Sequence, residues 1–202
     1  MAKDNTRVVI TGLGVMSPLG QTVEEFWDGL SNGRSGIGRI TLCDTEGFPS
    51  DIAGEVTGFD AGQYADPKEV RRMARFSQFA VAAAATAIED SALDLSSNND
   101  RVGVVMGNGN GGFPTTEDNA KILFEKGGMK VSPFFIPMIL PNMAAAQVSR
   151  VFNLKGYSST LITACAAGNQ AIGEAYEAIR RGAADVIVAG GCEAGISRIG
   201  LG

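Results

Sequence analysis

Three short runs, RVGVVMG (101–107), SSTLITA (158–164) and DVIVAGG (185–191), carry almost no charged residues and are separated by stretches with helical spacing. A strand exposed on one face alternates apolar and polar residues; a run that stays apolar is covered on both faces. Such strands alternating with helices imply an α/β fold with a mainly parallel sheet and helices on both sides. A fourth run, RVVITGLG (7–14), reads as a buried strand that ends in a glycine turn.

The intervening segments carry start and stop signals. Thr22 with Glu25 three residues on forms a capping box, followed by Val23, Phe26, Trp27 and Leu30 at helical spacing, with Gly33 as the stop. Residues 34–65 are rich in turn formers, with a possible strand at DIAGEV (51–56). Asp66-Pro67-Lys68-Glu69 opens a helix expected to run to about Leu93, whose small-residue centre AVAAAATA lets another backbone approach closely. Further helices are expected near 116–126 and 141–152, and from Cys165 to Arg181 with Gly182 as the stop. At 202 residues and 45% hydrophobic content, with no internal linker, residues 1–202 make one domain.

Composition excludes several functions. Seventeen basic against 22 acidic residues leave a net charge of −5, unlike a nucleic-acid binder. Cys43, Cys165 and Cys192 are odd in number and far apart, there is no histidine, and a zinc site lacks its usual ligands. Neither a metal nor a cofactor is expected. No apolar signal segment opens the chain, so a cytoplasmic, reducing location is the expectation. The most apolar stretch, VSPFFIPMILPNMAAA, is broken by Pro133, Pro137 and Pro141. It cannot supply the ~20 uninterrupted residues of a membrane span, and it reads as buried core or a subunit interface.

Cys165 is the first candidate for chemistry. It lies between a β-branched run and a helix of small residues, where free N–H groups and the helix dipole favour thiolate. Ala164, Ala166, Ala167 and Gly168 leave room for a reacting carbonyl. A small buried hydrophobe is the alternative reading of this cysteine, and position alone leaves both open. GNGNGG (107–112) matches a dinucleotide-binding pattern, but Phe113-Pro114 follows and no acidic residue is suitably placed. Tight turns lining a pocket suit it better. Lys68, Arg71, Arg72 and Arg75 share one helix face by spacing, which suits an anionic partner or a plain solvated face.

Taken in order, VVITGLGVMSPLG, SGIG, RRMARFSQFA, RVGVVMGNGNGG, VSPFFIPMILPNMAAAQVS, ITACAAGNQAIGEAYEAIRRG and DVIVAGGCEA resemble the β-ketoacyl-acyl-carrier-protein synthases of the thiolase superfamily. The likeness is greatest to the type II, elongating enzymes and runs along the whole chain. It implies a thiolase-like fold, the first half of a duplicated α/β/α sandwich. The ending EAGISRIGLG, just past a strand, reads as an interruption of that fold and the chain as truncated.

The resemblance also implies fatty-acid elongation. Cys165 would accept the acyl group and its backbone N–H would help hold the oxyanion. Gly109, Asn110, Phe135, Ile136 and Met138 would line the acyl pocket at the interface of a homodimer. Lys68, Arg71, Arg72 and Lys130 would dock the acidic acyl carrier protein. Two histidines and a lysine would come from the second half. Three positions depart from the pattern: Asn110 replaces an apolar pocket residue, Asn169-Gln170 a Thr-His pair, and Met129 a residue that is often basic. A polyketide-type ketosynthase, a thiolase and a non-catalytic partner subunit are the alternatives.

Overall fold

The computed structural model describes residues 6–97 and 99–202. In chain order the elements are α1 (Val23–Ser31), β1 (Gly38–Arg39), β2 (Ile52–Ala53), α2 (Pro67–Val70), α3 (Arg75–Asp90) and β3 (Val102–Gly107). There follow α4 (Phe113–Lys126), α5 (Phe135–Ile139), α6 (Met143–Val151), β4 (Ser158–Leu161), α7 (Ala167–Arg180), β5 (Val186–Gly191) and α8 (Arg198–Leu201). β1 and β2 form a small antiparallel ribbon, while β4, β3 and β5 form a parallel sheet in that order.

β3 is the centre of the molecule, and every one of its residues is buried. Val102, Val104 and Met106 face α3 and α6, where Phe76, Ala80, Ala84, Ala145 and Val148 complete the main core. Val105, on the opposite face, packs against Ala171 and Ala175 of α7. The period of two along the strand therefore feeds two separate layers, and this is the expected sheet with helices on both sides.

The fit of α7 depends on the absence of side chains. A Cβ on Gly107 would overlap the backbone of Ala167, and one on Gly191 would stand 2.8 Å from the Gly168 Cα. Ala167, Ala171, Ala175 and Ala178 form the buried stripe of α7, so the helix lies close to the strands along its length. Gly182, at φ +76°, then ends it in the left-handed conformation expected of a stop.

Three expectations need correction. Residues 7–14 form no strand. A cavity of about 290 Å³ lies between Gly12–Met16 and the edge of β5, no ladder closes across it, and Ile10 is 78% exposed. The glycines of this segment instead sit against α3, where a Cβ on Gly12 or Gly14 would strike the carbonyls of Ala87 or Ala83. That contact uses the small-residue centre of α3. Next, the helix expected from Asp66 to Leu93 is two helices. Asp66 caps the first by accepting from Lys68 N (2.7 Å), but the chain turns extended at Ala74. The break sends Met73 and Ala74 into the core, and the Gln78 side-chain amide donates to the carbonyls of Val70 and Met73. Lastly, α4 begins at Phe113 with Pro114 in its first turn, ahead of the expected start. Among the described residues no helix is long and apolar enough to cross a membrane, and no group of three His, Cys, Asp or Glu could hold a metal ion.

Gly190 and Gly191 offer a paired test, because only the second faces α7. Gly191→Ala should lower stability by about 2–3 kcal/mol, the usual scale of overpacking against backbone. Gly190→Ala, with nothing within 4 Å of its Cβ, should change it by about 0.5 kcal/mol or less. Urea unfolding of the two variants measures the difference.

Candidate active site

The C-terminal ends of β4, β3 and β5 meet the start of α7, and Cys165 stands at that junction. Asn108 N donates to Leu161 O (3.0 Å) and Cys192 N to Gly107 O (3.0 Å), which ties the three strand ends together. From β4 the chain enters a 3-10 turn, Ala164–Ala166, that runs straight into α7. Ala164 has φ +50°, a left-handed conformation that costs a residue with a Cβ and occurs where a sharp redirection is required. The helix expected to start at Cys165 therefore starts at Ala167. The cysteine sits in the turn before it, exposed, next to the positive end of the helix.

The thiol opens onto a cavity of about 440 Å³. Asn108, Gly109 and Asn110, then Ala164, Ala167 and Gly168, and Glu193 line it, with the Glu193 carboxylate against Gly109 and Asn110. No Leu, Ile, Val, Phe or Met is among the lining residues. Small side chains leave space beside the sulfur, and the polar groups sit on the glycine loop and on the segment after β5.

The other cysteines have different surroundings. Burial pushes the Cys192 thiol up to about 12; the neighbouring Glu193 carboxylate adds to the rise, and a hydrogen bond from Asn108 opposes it. Burial also raises Cys43, with Glu117 and Glu55 adding repulsion.

The remaining expected site residues fall into two groups. Gly109 and Asn110 share the cavity with Cys165. Phe135, Ile136 and Met138 lie on α5 and are not among its lining residues; Ile136 faces solvent, and Met138 packs against the main core. α5 touches the glycine loop through backbone, with Gly112 N donating to Ile139 O (3.0 Å).

Lys68, Arg71 and Arg72 are exposed around α2, and Lys130 is exposed in a 3-10 turn. The Arg72 guanidinium stacks 4.7 Å from the Phe134 ring centroid, so the segment after Lys130 meets the cationic surface there. Glu69 in the same turn pairs with Arg150, so its charge is already engaged. Arg75 does not belong to this stripe. The break before α3 turns it inward, over Phe59 (4.5 Å) and Phe79 (4.8 Å), and burial lowers its pKa.

Two residues of this site escaped the sequence reading. The Asn108 side chain accepts from Gly111 N (2.6 Å) and donates to Cys192 O (2.6 Å). A single Glu193 oxygen accepts from Gly109 N (2.9 Å) and Asn110 N (3.0 Å). Asn inside a glycine turn is a signal that could have been read. Glu193 gave none, because its partners are 83 and 84 residues away in sequence.

Residues 5–202 match the family of β-ketoacyl synthase N-terminal domains. The chain belongs to the β-ketoacyl synthase family. It is 45% identical, over 98% of its length, to 3-oxoacyl-(acyl-carrier-protein) synthase 2 of Staphylococcus aureus (strain COL), of which it covers 48%. Among solved structures, the ishigamide ketosynthase/chain length factor superposes with a TM-score of 0.87 at 32% identity, covering 96% of this chain and 48% of that one. A type II polyketide synthase acyl-carrier protein in complex with its ketosynthase, bound to the hexaketide, gives a TM-score of 0.82 at 27% identity, covering 96% and 52%. The chain thus spans about half the length of the synthases it matches, and its three-strand parallel sheet belongs to the thiolase-like fold.

The thiols should separate in alkylation. With iodoacetamide at pH 8 the exposed Cys165 should be modified first and Cys43 later. Cys192, with a pKa of about 12, is thiolate in only about one molecule in ten thousand at that pH and should stay unmodified until unfolding. Peptide mass mapping over time reads the order.

Proposed function

We propose that this chain carries the nucleophile of a β-ketoacyl-acyl-carrier-protein synthase of fatty-acid elongation. The observation that carries the reading is the exposed Cys165 thiol in a kinked turn before α7, open to a cavity with small walls. The Cys165 thiolate attacks the carbonyl carbon of an acyl-carrier thioester, the carrier's thiolate leaves, and the acyl group becomes a thioester of Cys165. The charge on the tetrahedral oxygen is met by the Cys165 N–H and the positive end of the helix. Malonyl-carrier protein then loses CO2. The resulting enolate carbon attacks the acyl-cysteine carbonyl, and the Cys165 thiolate leaves as the new carbon–carbon bond forms. The products are the β-ketoacyl-carrier protein, CO2 and, after uptake of one proton, the free carrier thiol.

Decarboxylative condensation needs hydrogen-bond donors for the enolate oxygen, and the chain has no histidine. The reading therefore assigns that duty to histidines and a lysine in a further half of the enzyme, in line with the half-length match to its relatives. Docking of the acidic carrier is assigned to Lys68, Arg71, Arg72 and Lys130, which present cations on one side of α2 and near Phe134. The apolar residues exposed along 123–140, Phe124 and Ile136 among them, suit the homodimer interface of this reading. The cytoplasm is the matching location.

A polyketide-type ketosynthase is the second reading, favoured by the likeness to the type II polyketide synthase ketosynthase and by the polar Asn110 in the cavity. The 45% identity to an elongating synthase, against 27%, ranks it second.

Incubation of the protein with acyl-loaded carrier protein should add the acyl mass to the Cys165 peptide, and Cys165→Ala should remove the addition. An unmodified Cys165 would overturn the mechanism. The double reversal Arg71→Glu with Arg72→Glu should raise KM for carrier-bound substrate about tenfold or more at low salt, with the effect shrinking as ionic strength rises. An unchanged KM would return these residues to an ordinary solvated face.

A further inference from the structure

The stretch of the cavity lining formed by Asn108, Gly109 and Asn110 is not held by regular secondary structure. β3 ends at Gly107, and residues 108–112 cross the top of the sheet before α4 begins at Phe113. Two of the five are glycines that abut backbone, and Gly111 is at φ +66°, so the loop has little side-chain packing of its own. Three consecutive N–H groups, those of Gly109, Asn110 and Gly111, point to side-chain acceptors rather than to backbone carbonyls.

Those acceptors come from two sources. Asn108 serves Gly111 from within the loop, and the same side chain reaches Cys192 O at the end of β5. Glu193 serves Gly109 and Asn110 from outside it. A concave run of N–H groups is an anion site, and here one carboxylate oxygen of the same chain fills it. The Glu193 carboxylate also faces the cavity that holds the Cys165 thiol. A second contact closes the arrangement: the Asn110 side-chain nitrogen lies 3.1 Å from where a Cβ on Gly195 would stand, so residues 193–195 and 108–111 brace each other.

We propose that Glu193 is the positioning residue for the part of the cavity wall formed by Gly109 and Asn110, and that through this wall it sets the size of the acyl group that fits beside the thiol. It acts through Gly109 and Asn110 and does not touch the reacting atoms. The substrate half of this inference rests on the reading of Cys165 as the acyl acceptor.

The role needs an acceptor oxygen, not a negative charge. That separates two variants: Glu193→Gln keeps an oxygen able to take both N–H groups, whereas Glu193→Ala leaves both to water. Three measurements on the native protein and the two variants decide the matter. Amide hydrogen exchange at Gly109 and Asn110 should quicken about tenfold in the alanine variant and remain near native in the glutamine variant. Alkylation of Cys165 by iodoacetamide and by N-decyl iodoacetamide should give a long-to-short rate ratio that shifts several-fold in the alanine variant only, while the iodoacetamide rate itself stays within about twofold. Acyl loading from carrier proteins bearing short and long chains should shift in the same direction, with KM for the carrier unchanged, because Lys68, Arg71 and Arg72 lie on α2 and the turn after it.

Unchanged exchange in the alanine variant would overturn the clamp, and faster exchange with an unaltered alkylation ratio would overturn its control of the cavity. Faster exchange and a shifted ratio in the glutamine variant as well would show that charge rather than an acceptor is required, and would overturn the mechanism stated. If native Cys165 takes no acyl group at all, the synthase reading falls, while exchange and alkylation still judge the clamp.

Discussion

The close approach of α7 to the ends of β3 and β5 is the contact on which the rest of the molecule depends. Helices usually stand off a sheet by the length of their side chains, but here Gly107, Gly168 and Gly191 bring backbone against backbone. The alanine stripe of α7 continues the same contact down the helix. The consequence is chemical as well as structural. The free N–H groups of the first helical turn are carried to the carboxyl end of the sheet, and Cys165 is delivered there by a turn that the strand and the helix both constrain.

Around that contact the charged groups have separate duties. Cations on and after α2 face outward, with the nearby acids engaged, Glu69 by Arg150 and Asp66 by the Lys68 N–H. Arg75, which by spacing should join them, is drawn inward over two aromatic rings because its flat guanidinium gains more by stacking on them than by extending a charged surface. Glu193, although exposed, turns toward backbone N–H groups and holds a loop. The Cys165 cavity thus has an exposed thiol, space and a braced wall, but no imidazole, and a condensing site needs that group from elsewhere.

Much of this was legible in sequence because it is local. The runs at 101–107, 158–164 and 185–191 are strands, shorter by one to three residues than the runs themselves. Thr22 accepts from Glu25 N as the capping box requires, although the Glu25 carboxylate returns to Gln21 N rather than to Thr22. The family resemblance was carried by contiguous motifs and the family match covers the same span. What misled was also physical. RVVITGLG has the composition of a strand, yet a strand exists only where a partner edge supplies hydrogen bonds, and composition does not say where that edge lies. The pattern from Asp66 to Leu93 is helical throughout, and it breaks because burying Met73 and Ala74 outweighs four residues of helix.

By itself, then, the amino-acid order determined the class of fold, the caps at Thr22 and Asp66, the stops at Gly33 and Gly182, Cys165 as the candidate nucleophile and the absence of a histidine to serve it. Those follow from nearest neighbours in the chain: apolar runs, caps, glycine stops and residue chemistry. Only the tertiary structure decided that Ala164 takes a left-handed turn, that three distant glycines seat one helix, and that Glu193 braces a loop more than 80 residues earlier. These are contacts between segments far apart in sequence, where the energy belongs to the pair and neither partner carries a local sign of it.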